Sequence, residues 1–161
     1  MTLIIALVFL VACSAFFSAS ETAFSSLNQI RLKSRAEDGD ASAARVLAMA
    51  EKYDKLLSTI LIGNNIVNIA AASIGTILFT RALGAERGAT MSTIVLTIVV
   101  LIFGEVTPKS LAKEMPETVA TAVSPMLNLL MVLFTPLTWL FSQWKRLLGH
   151  FVHSTEEDTI T

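Results

Sequence analysis

The chain has 161 residues, of which 53% are hydrophobic and 16% are charged, and its mean hydropathy is +0.66. A soluble domain carries about 25% charged residues, and the apolar residues here form runs too long for core helices, so the composition indicates a membrane protein. A formal net charge of −1 gives no support for nucleic-acid binding. Cys13 is the single cysteine, which excludes a disulfide within the chain.

The first apolar block runs from Leu3 to about Leu27 and predicts a retained membrane helix. Its first residues, MTLIIALVFLVAC, also resemble a signal peptide, and LVAC resembles a lipoprotein cleavage site. A signal peptide needs a positively charged region before its apolar run, whereas the first basic residue here is Arg31. The retained helix is therefore the favoured interpretation, with a lipoprotein as its alternative.

Two further apolar blocks are long enough to cross a bilayer, which takes about 20 helical residues. They run from Leu56 to Thr80 and from Met91 to about Ala112. Because basic loops stay on the cytoplasmic side, the loop between the first two blocks is predicted to be cytoplasmic and the N-terminus to lie outside. That loop carries six basic residues, whereas the next one, RALGAERGA, carries two. The six are Arg31, Lys33, Arg35, Arg45, Lys52 and Lys55.

The cytoplasmic loop is predicted to form a helical hairpin over about residues 30–55. Its second half, DASAARVLAMAEKYDKLL, has apolar residues at helical spacing, with Asp40 or Ser42 as the N-cap. The residues EDGD, Glu37–Asp40, are predicted to form the turn between the two short helices.

The fourth apolar block, Val119 to about Trp144, differs from the first three. Basic residues lie before it, in TPKSLAK, and after it, in WKRL, so both ends favour the cytoplasmic side. Pro125 and Pro136 interrupt it, and each removes a helical hydrogen bond. The block is predicted to be a bent juxtamembrane helix, re-entrant or interfacial, over about residues 117–148. A fourth span is the alternative.

The end of this block, TWLFSQWKRLLGHF, carries Trp139 and Trp144 beside two cations and is typical of a membrane-interface anchor. Residues 1–148 are interpreted as one transmembrane ion-transport domain. Residues 149–161 are polar and acidic and are predicted to be a linker toward a further, cytosolic domain.

Polar side chains occur at matching depth inside the three predicted spans. Ser18, Asn64 and Glu105 each lie seven residues from the predicted cytoplasmic end of their helix, or about 10 Å inside the membrane. Ser14 lies four residues from Ser18, and Asn68 four from Asn64, so each pair shares a helix face. An ionised side chain at the bilayer centre costs about 2.5–3.5 kcal/mol. Glu105 therefore needs a partner that offsets this cost.

The sequence GEVTP adds a further oxygen beside this carboxylate. Pro108 cannot donate a hydrogen bond to the carbonyl of Gly104, four residues earlier, which leaves a backbone oxygen next to Glu105. The two histidines, His150 and His153, lie at the far end of the chain, so the candidate ligands are all oxygens. Such a set selects hard cations such as Mg2+, Ca2+ or Na+. Interhelical hydrogen bonding is the alternative role for any single serine or asparagine, whereas Glu105 is interpreted as functional.

Three motifs, SAFFSASETAFSSL, LIGNNIVNIAAA and FGEVTPKSLAK, resemble the transmembrane domain of the CorC/CNNM (cyclin M) family of magnesium transporters. The resemblance covers about Leu3 to Leu148. It implies an all-α homodimer in the bacterial inner membrane, with three transmembrane helices and a juxtamembrane helix per subunit. It also implies a cytoplasmic C-terminus that continues into ATP-binding CBS domains absent from this chain. The metal ligands that it implies are Ser14, Ser18, Asn64, Asn68, Gly104 and Glu105, with Ser18, Asn68 and Glu105 ranking first.

The expected function is Mg2+ transport rather than enzymatic catalysis. What the resemblance implies is Mg2+ efflux by alternating access, coupled to Na+ entry. The alternative is a Mg2+ sensor or membrane anchor that binds the ion and moves none. An intramembrane enzyme is disfavoured, because no His or Asp lies within the predicted spans to act as a base.

Overall fold

The computed structural model describes the backbone of residues 1–160 and the side chains of residues 1–152. All regular elements in this part of the chain are helical, which confirms the all-α prediction. They are α1 (Thr2–Ser25), α2 (Gln29–Glu37), α3 (Ala41–Glu51), α4 (Tyr53–Leu83), α5 (Ala85–Val99), a π-helical segment (Val100–Val106), α6 (Thr107–Glu114), α7 (Pro116–Leu133) and α8 (Thr135–Ile160).

Four helical stretches are long and apolar enough to cross a membrane by length and composition, and not the three that the sequence predicted. They are Thr2–Ser25, Tyr53–Leu83, Ala85–Glu114 and Pro116–Leu133.

The additional stretch is α7. Pro125 lies inside this helix without ending it, so the predicted interruption there is wrong and residues 116–133 stay continuous. The chain leaves the helical conformation at Phe134 instead, two residues before the second proline, Pro136. A proline removes one hydrogen bond, and α7 tolerates that loss at its centre.

α1 lies at the centre of the helix bundle, where it contacts α4, the π segment, α6 and α7. α4 and α5 form an antiparallel pair joined at Gly84, whose φ of 92° favours glycine. The helices approach one another closely at small residues. A Cβ on Gly63 would overlap the ring of Phe17, and one on Gly75 would overlap the side chain of Leu96.

The predicted helical hairpin is present as α2 and α3. Asp40 is the N-cap of α3, and its carboxylate accepts hydrogen bonds from the backbone N–H groups of Ser42 at 3.0 Å and Ala43 at 3.2 Å. Arg35 on α2 donates to the same carboxylate at 2.6 Å. This guanidinium, together with the two backbone donors, holds the pKa of Asp40 below its ordinary value. The turn is completed by Gly39, with φ 98°.

α7 contacts this hairpin near both of its ends. At its start, Glu117 accepts a hydrogen bond from Arg35 of α2 at 3.3 Å. Near its end, Asn128 and Met131 face Met49 of α3 across a cavity of about 230 Å³. Both ends of α7 therefore lie on the hairpin side of the molecule.

α8 follows α7 and contacts α4 and α7. Its backbone stays helical to Ile160, through most of the segment that was predicted to be a linker. The linker role stays a prediction.

The packing of α5 on α4 can be tested at Gly88. A Cβ at this position would lie 2.6 Å from Cα of Thr80 and 2.9 Å from the carbonyl carbon of Phe79, which are backbone atoms that cannot rotate away. We expect Gly88→Ala to lower the free energy of unfolding by about 1–3 kcal/mol, because the two helices must separate. The measurement is the denaturation of the protein in detergent, followed by circular dichroism.

The matched control is Gly149→Ala, on α8, where an added Cβ meets no atom within 4 Å. Alanine is the better helix former by about 0.8–1.0 kcal/mol, so this variant should be at least as stable as the wild type. Wild-type stability in Gly88→Ala would contradict the close α4–α5 contact.

Candidate cation site between the membrane helices

Ser14 on α1 is the residue at which three helical elements meet. Its side chain is 1% exposed, and its hydroxyl oxygen lies 3.4 Å from Oδ1 of Asn64 and 3.2 Å from Oδ1 of Asn68 on α4. A Cβ placed on Gly104, in the π segment, would lie 3.0 Å from the same hydroxyl oxygen. The structure therefore brings four of the six predicted ligands, Ser14, Asn64, Asn68 and Gly104, to one place.

The oxygens of this cluster share a single hydroxyl proton. Ser14 can donate that proton to one amide oxygen at a time, and each of the three oxygens carries lone pairs. The cluster is therefore rich in acceptors. A hard cation that prefers oxygen would satisfy such an arrangement.

The π segment carries the two predicted ligands of the third span, Gly104 and Glu105. The backbone N–H that follows it still bonds to the carbonyl five residues earlier, at Ile102. Single π turns within α-helices occur frequently at functional sites. Pro108, which is buried, lies two residues after the segment and has no N–H to offer the Gly104 carbonyl. The sequence predicted a disturbed carbonyl here, but not the seven-residue π-helical stretch that precedes Pro108.

Ser18 and Glu105 lie next to this cluster without joining it. Ser18 is 2% exposed and Glu105 is half-buried. Among residues 1–152, no hydrogen bond or ion pair links either side chain to another predicted ligand. The depth argument placed Ser18, Asn64 and Glu105 at one level, and the serine of α1 that lies within hydrogen-bond distance of the asparagines is Ser14. α1 packs on α4 with Ser14, one turn away, facing the asparagines. The ligand role of all six residues stays a prediction.

Three nearby polar residues take other positions. The hydroxyl of Ser20 donates to the carbonyl of Phe16 at 2.6 Å, so it is satisfied within its own helix. Asn65 is exposed, although both of the other asparagines in GNNIVN contact Ser14. Glu21 is half-buried near the hairpin end of α1.

A cavity of about 300 Å³ lies beside the cluster, between α4, α5 and the π segment. Asn68 lines it together with Thr97, and the remaining lining is mainly apolar. Sequence analysis missed Thr97, although its hydroxyl lies within the third apolar block. That hydroxyl donates to the carbonyl of Thr93, so Thr97 offers only its lone pairs to the cavity.

Metal sites built from several charged or soft ligands are not found in the described part of the chain. Residues 1–152 hold no group of three or more His, Cys, Asp or Glu side chains close enough to bind one ion. A cation between α1, α4 and the π segment would instead be held by neutral oxygens and the single carboxylate of Glu105. Such a ligand set suits Mg2+, Ca2+ or Na+ and gives no advantage to zinc or copper.

These features identify a membrane domain with polar groups clustered between its helices, and comparison with known proteins defines its family. The sequence profile of the cyclin M transmembrane N-terminal domain, CNNM, matches residues 5–161. The chain belongs to this family, which confirms the resemblance drawn from the three motifs.

Bacterial relatives cover most of the chain. It is 47% identical over 135 residues to the UPF0053 inner membrane protein YfjD of Escherichia coli, a match covering 84% of this chain and 31% of that protein. It is 40% identical over 151 residues to a UPF0053 protein of Haemophilus influenzae, covering 94% and 36%. It is 32% identical over 151 residues to a polyamine export protein of Escherichia coli, covering 86% and 34%. The chain thus spans about a third of the length of these relatives.

The contact between Gly104 and Ser14 predicts a measurable coupling. We expect Gly104→Ala to lower the free energy of unfolding by about 1–3 kcal/mol, because the new Cβ presses on a hydroxyl that is already held by two amides. In a Ser14→Ala background the nearest atom is gone, so the same substitution should cost at least about 0.5 kcal/mol less. Chemical denaturation of the four proteins in one detergent gives this double-mutant cycle. If the two substitutions changed the free energy of unfolding by strictly additive amounts, Gly104 and Ser14 would not be in contact.

Proposed function

We propose that this chain is the membrane domain of a Mg2+ transporter that exports the ion across the bacterial inner membrane. The proposed ligands are Ser14, Ser18, Asn64, Asn68, Gly104 and Glu105. The observation that carries the proposal is the position of the Ser14 hydroxyl, within 3.4 Å of two amide oxygens of α4 and against the π segment that holds Glu105. Membership of the cyclin M family supports the same function.

The geometry of the cluster suits a small octahedral ion. Mg2+ takes six oxygens at about 2.0–2.1 Å, so neighbouring ligands of an octahedron lie about 3 Å apart. The Ser14 hydroxyl lies 3.2–3.4 Å from the two amide oxygens, close to that spacing before any ion draws them in. Ser18 and the two ligands of the π segment bring the number of candidate oxygen ligands to six. Glu105 supplies the negative charge, and Mg2+ offsets its desolvation.

The π segment is the element we assign to alternating access. Conversion of a π turn into an α turn removes one residue from the turn and rotates the following side chains about the helix axis. Glu105 and Gly104 would then turn toward or away from Ser14 while α1 and α4 stay packed. Na+ is the proposed coupling ion, because it also prefers oxygen ligands.

We further propose that three helical stretches cross the membrane and that α7 lies along its surface. A helix of 18 residues is about 27 Å long, so a crossing helix would carry its two ends to opposite faces. The start of α7 instead bonds Arg35 of the hairpin, and its other end lines a cavity together with Met49 of the hairpin. The basic residues of the hairpin support the further proposal that it lies in the cytoplasm, with the N-terminus outside and the C-terminus cytoplasmic. The homodimer and the ATP-binding CBS domains are proposed from the family resemblance.

A Mg2+ sensor or membrane anchor is the alternative to a transporter, and flux separates the two. Some relatives are named polyamine export proteins, and these names suggest an organic polycation as an alternative cargo. A polyamine carries several positive charges along a chain, whereas the proposed site offers one carboxylate. A single small divalent ion is the better match to these residues.

The proposed cargo site is tested by Glu105→Gln. We expect this variant to lose Mg2+-dependent thermal stabilisation and to reduce Mg2+ flux in proteoliposomes to the level of empty vesicles, because the charge that holds the ion is gone. The matched control is Glu86→Gln, an exposed residue at the start of α5, which should keep wild-type flux. Wild-type flux in Glu105→Gln would end the assignment. Binding without flux in the wild type would favour the sensor, and flux of spermidine alone would favour the polyamine.

The placement of α7 is tested by cysteine labelling in a Cys13→Ser background. Thr118→Cys and Asn128→Cys introduce thiols at exposed positions near the two ends of α7. A membrane-impermeant maleimide should label both from the hairpin side of the vesicle. Arg81→Cys, at the far end of α4, should be labelled from the opposite side only. Labelling of the two α7 positions from opposite sides would make α7 a fourth span.

A further inference from the structure

A cavity of about 350 Å³ opens on the hairpin side of the molecule, between the start of α4 and α8. α4 contributes Lys55 and Ser58 to its lining, and α8 contributes Trp139, Ser142 and Lys145. With Asp54, Thr135 and Thr138, which also line it, the cavity combines two cations, one carboxylate, four hydroxyls and an indole ring. None of these residues belongs to the cation site proposed above.

A second cavity adjoins the first, because both are lined by Lys55. It is the cavity of about 230 Å³ under the end of α7, and it adds Arg45 and Lys52 to the cations. Four basic side chains therefore line the pair of cavities, against the single carboxylate of Asp54. We call this pair the basic interfacial cavity.

The four cations of the basic interfacial cavity make no ion pair within the described residues. The ion pairs found among residues 1–152 all involve Arg31 or Arg35, on the other arm of the hairpin. Four cations around one concave surface repel one another, and a bound anion would relieve that repulsion. The cavity is therefore complementary to a negatively charged group.

Apolar surface lies beside the cavity on the same helix. Thr138, Ser142 and Lys145 follow one another at helical spacing toward the cavity. On another face of α8, Leu140 is 55% exposed and Trp144 is 59% exposed. A ligand with both an anionic head and an apolar tail would satisfy the two surfaces together.

We propose that the basic interfacial cavity binds the phosphate headgroup of an anionic phospholipid from the leaflet on the hairpin side. Lysine ammonium groups bind phosphate as point charges, and basic pockets between membrane helices are suited to lipid headgroups. Trp139 would lie at the headgroup level, where indole rings are enriched. The acyl chains would run along Leu140 and Trp144. This inference rests on the proposed surface position of α7 and on the interface anchor predicted at Trp139 and Trp144, and not on the identity of the transported ion.

The test is lipid retention by the double variant Lys55→Gln/Lys145→Gln. The protein is reconstituted in nanodiscs of phosphatidylcholine with added phosphatidylglycerol, extracted, and analysed by native mass spectrometry. We expect the affinity for phosphatidylglycerol to fall roughly 30-fold, because two lysines near an anionic headgroup are lost. Lys55→Arg/Lys145→Arg should retain the lipid, since the charge is kept.

The matched control is Lys33→Gln/Arg87→Gln, which removes two charges at positions that line neither cavity. It should retain phosphatidylglycerol as the wild type does. Glu105→Gln should also retain it, so failure of the proposed Mg2+ site and failure of the lipid site are distinguishable. If the double variant does not fold, Lys145→Gln alone, at an exposed position of α8, carries the same test with a smaller loss.

Equal phosphatidylglycerol retention by the wild type and Lys55→Gln/Lys145→Gln would overturn the proposal. Displacement of the lipid by inorganic phosphate or glycerol phosphate at matched concentration would overturn it as well, and would point to a soluble phosphate ligand. No displacement by these anions, with loss in the double variant, supports a membrane lipid. Unchanged retention with lost binding of an acidic peptide would assign the cavity to a protein partner instead.

Discussion

The contact of Ser14 with the amides of Asn64 and Asn68 is the interaction on which the arrangement of the helices depends. Hydrocarbon offers no hydrogen-bond partner, so polar groups at this depth must find one another. The nearly complete burial of Ser14 fixes the position of α1 against α4 along their common axis. The same contact requires a residue without a side chain on the third helix, which is Gly104. The register of three helices is thus set by one hydroxyl group.

Features that depend on local sequence could be predicted. Hydropathy located the helices, and the residues before an apolar run offered Asp40 or Ser42 as the N-cap of α3, which is Asp40 in the structure. Serine and asparagine pairs spaced four residues apart indicated the helix faces that meet. Features that depend on packing between distant segments could not be predicted, and the choice of Ser14 over Ser18 at the asparagines is one of them. The π-helical conformation before Pro108 is another, because the proline explains a disturbed carbonyl but not the seven residues ahead of it.

The contacts of α7 are the basis on which we propose that it does not cross the membrane. Its 18 residues satisfy both criteria for a span, and Pro125 does not divide them. Glu117 at its start nevertheless bonds Arg35 of the hairpin, and Met131 near its end lines a cavity with hairpin residues. Arg35 contacts both Asp40 and Glu117, so one guanidinium connects the hairpin turn to the first turn of α7. Charged contacts of this kind carry positional information that a hydropathy profile does not contain.

The single-residue connection at Gly84 has a mechanical consequence. Directly after it, the backbone of α5 at Gly88 lies against the backbone of Thr80, too close to admit a methyl group. The ends of α4 and α5 remote from the hairpin are therefore held in close contact and act as a hinge. If α4 and α5 move apart, their separation increases with distance from this hinge. The largest movements therefore occur toward the opposite membrane face, where the π segment follows α5.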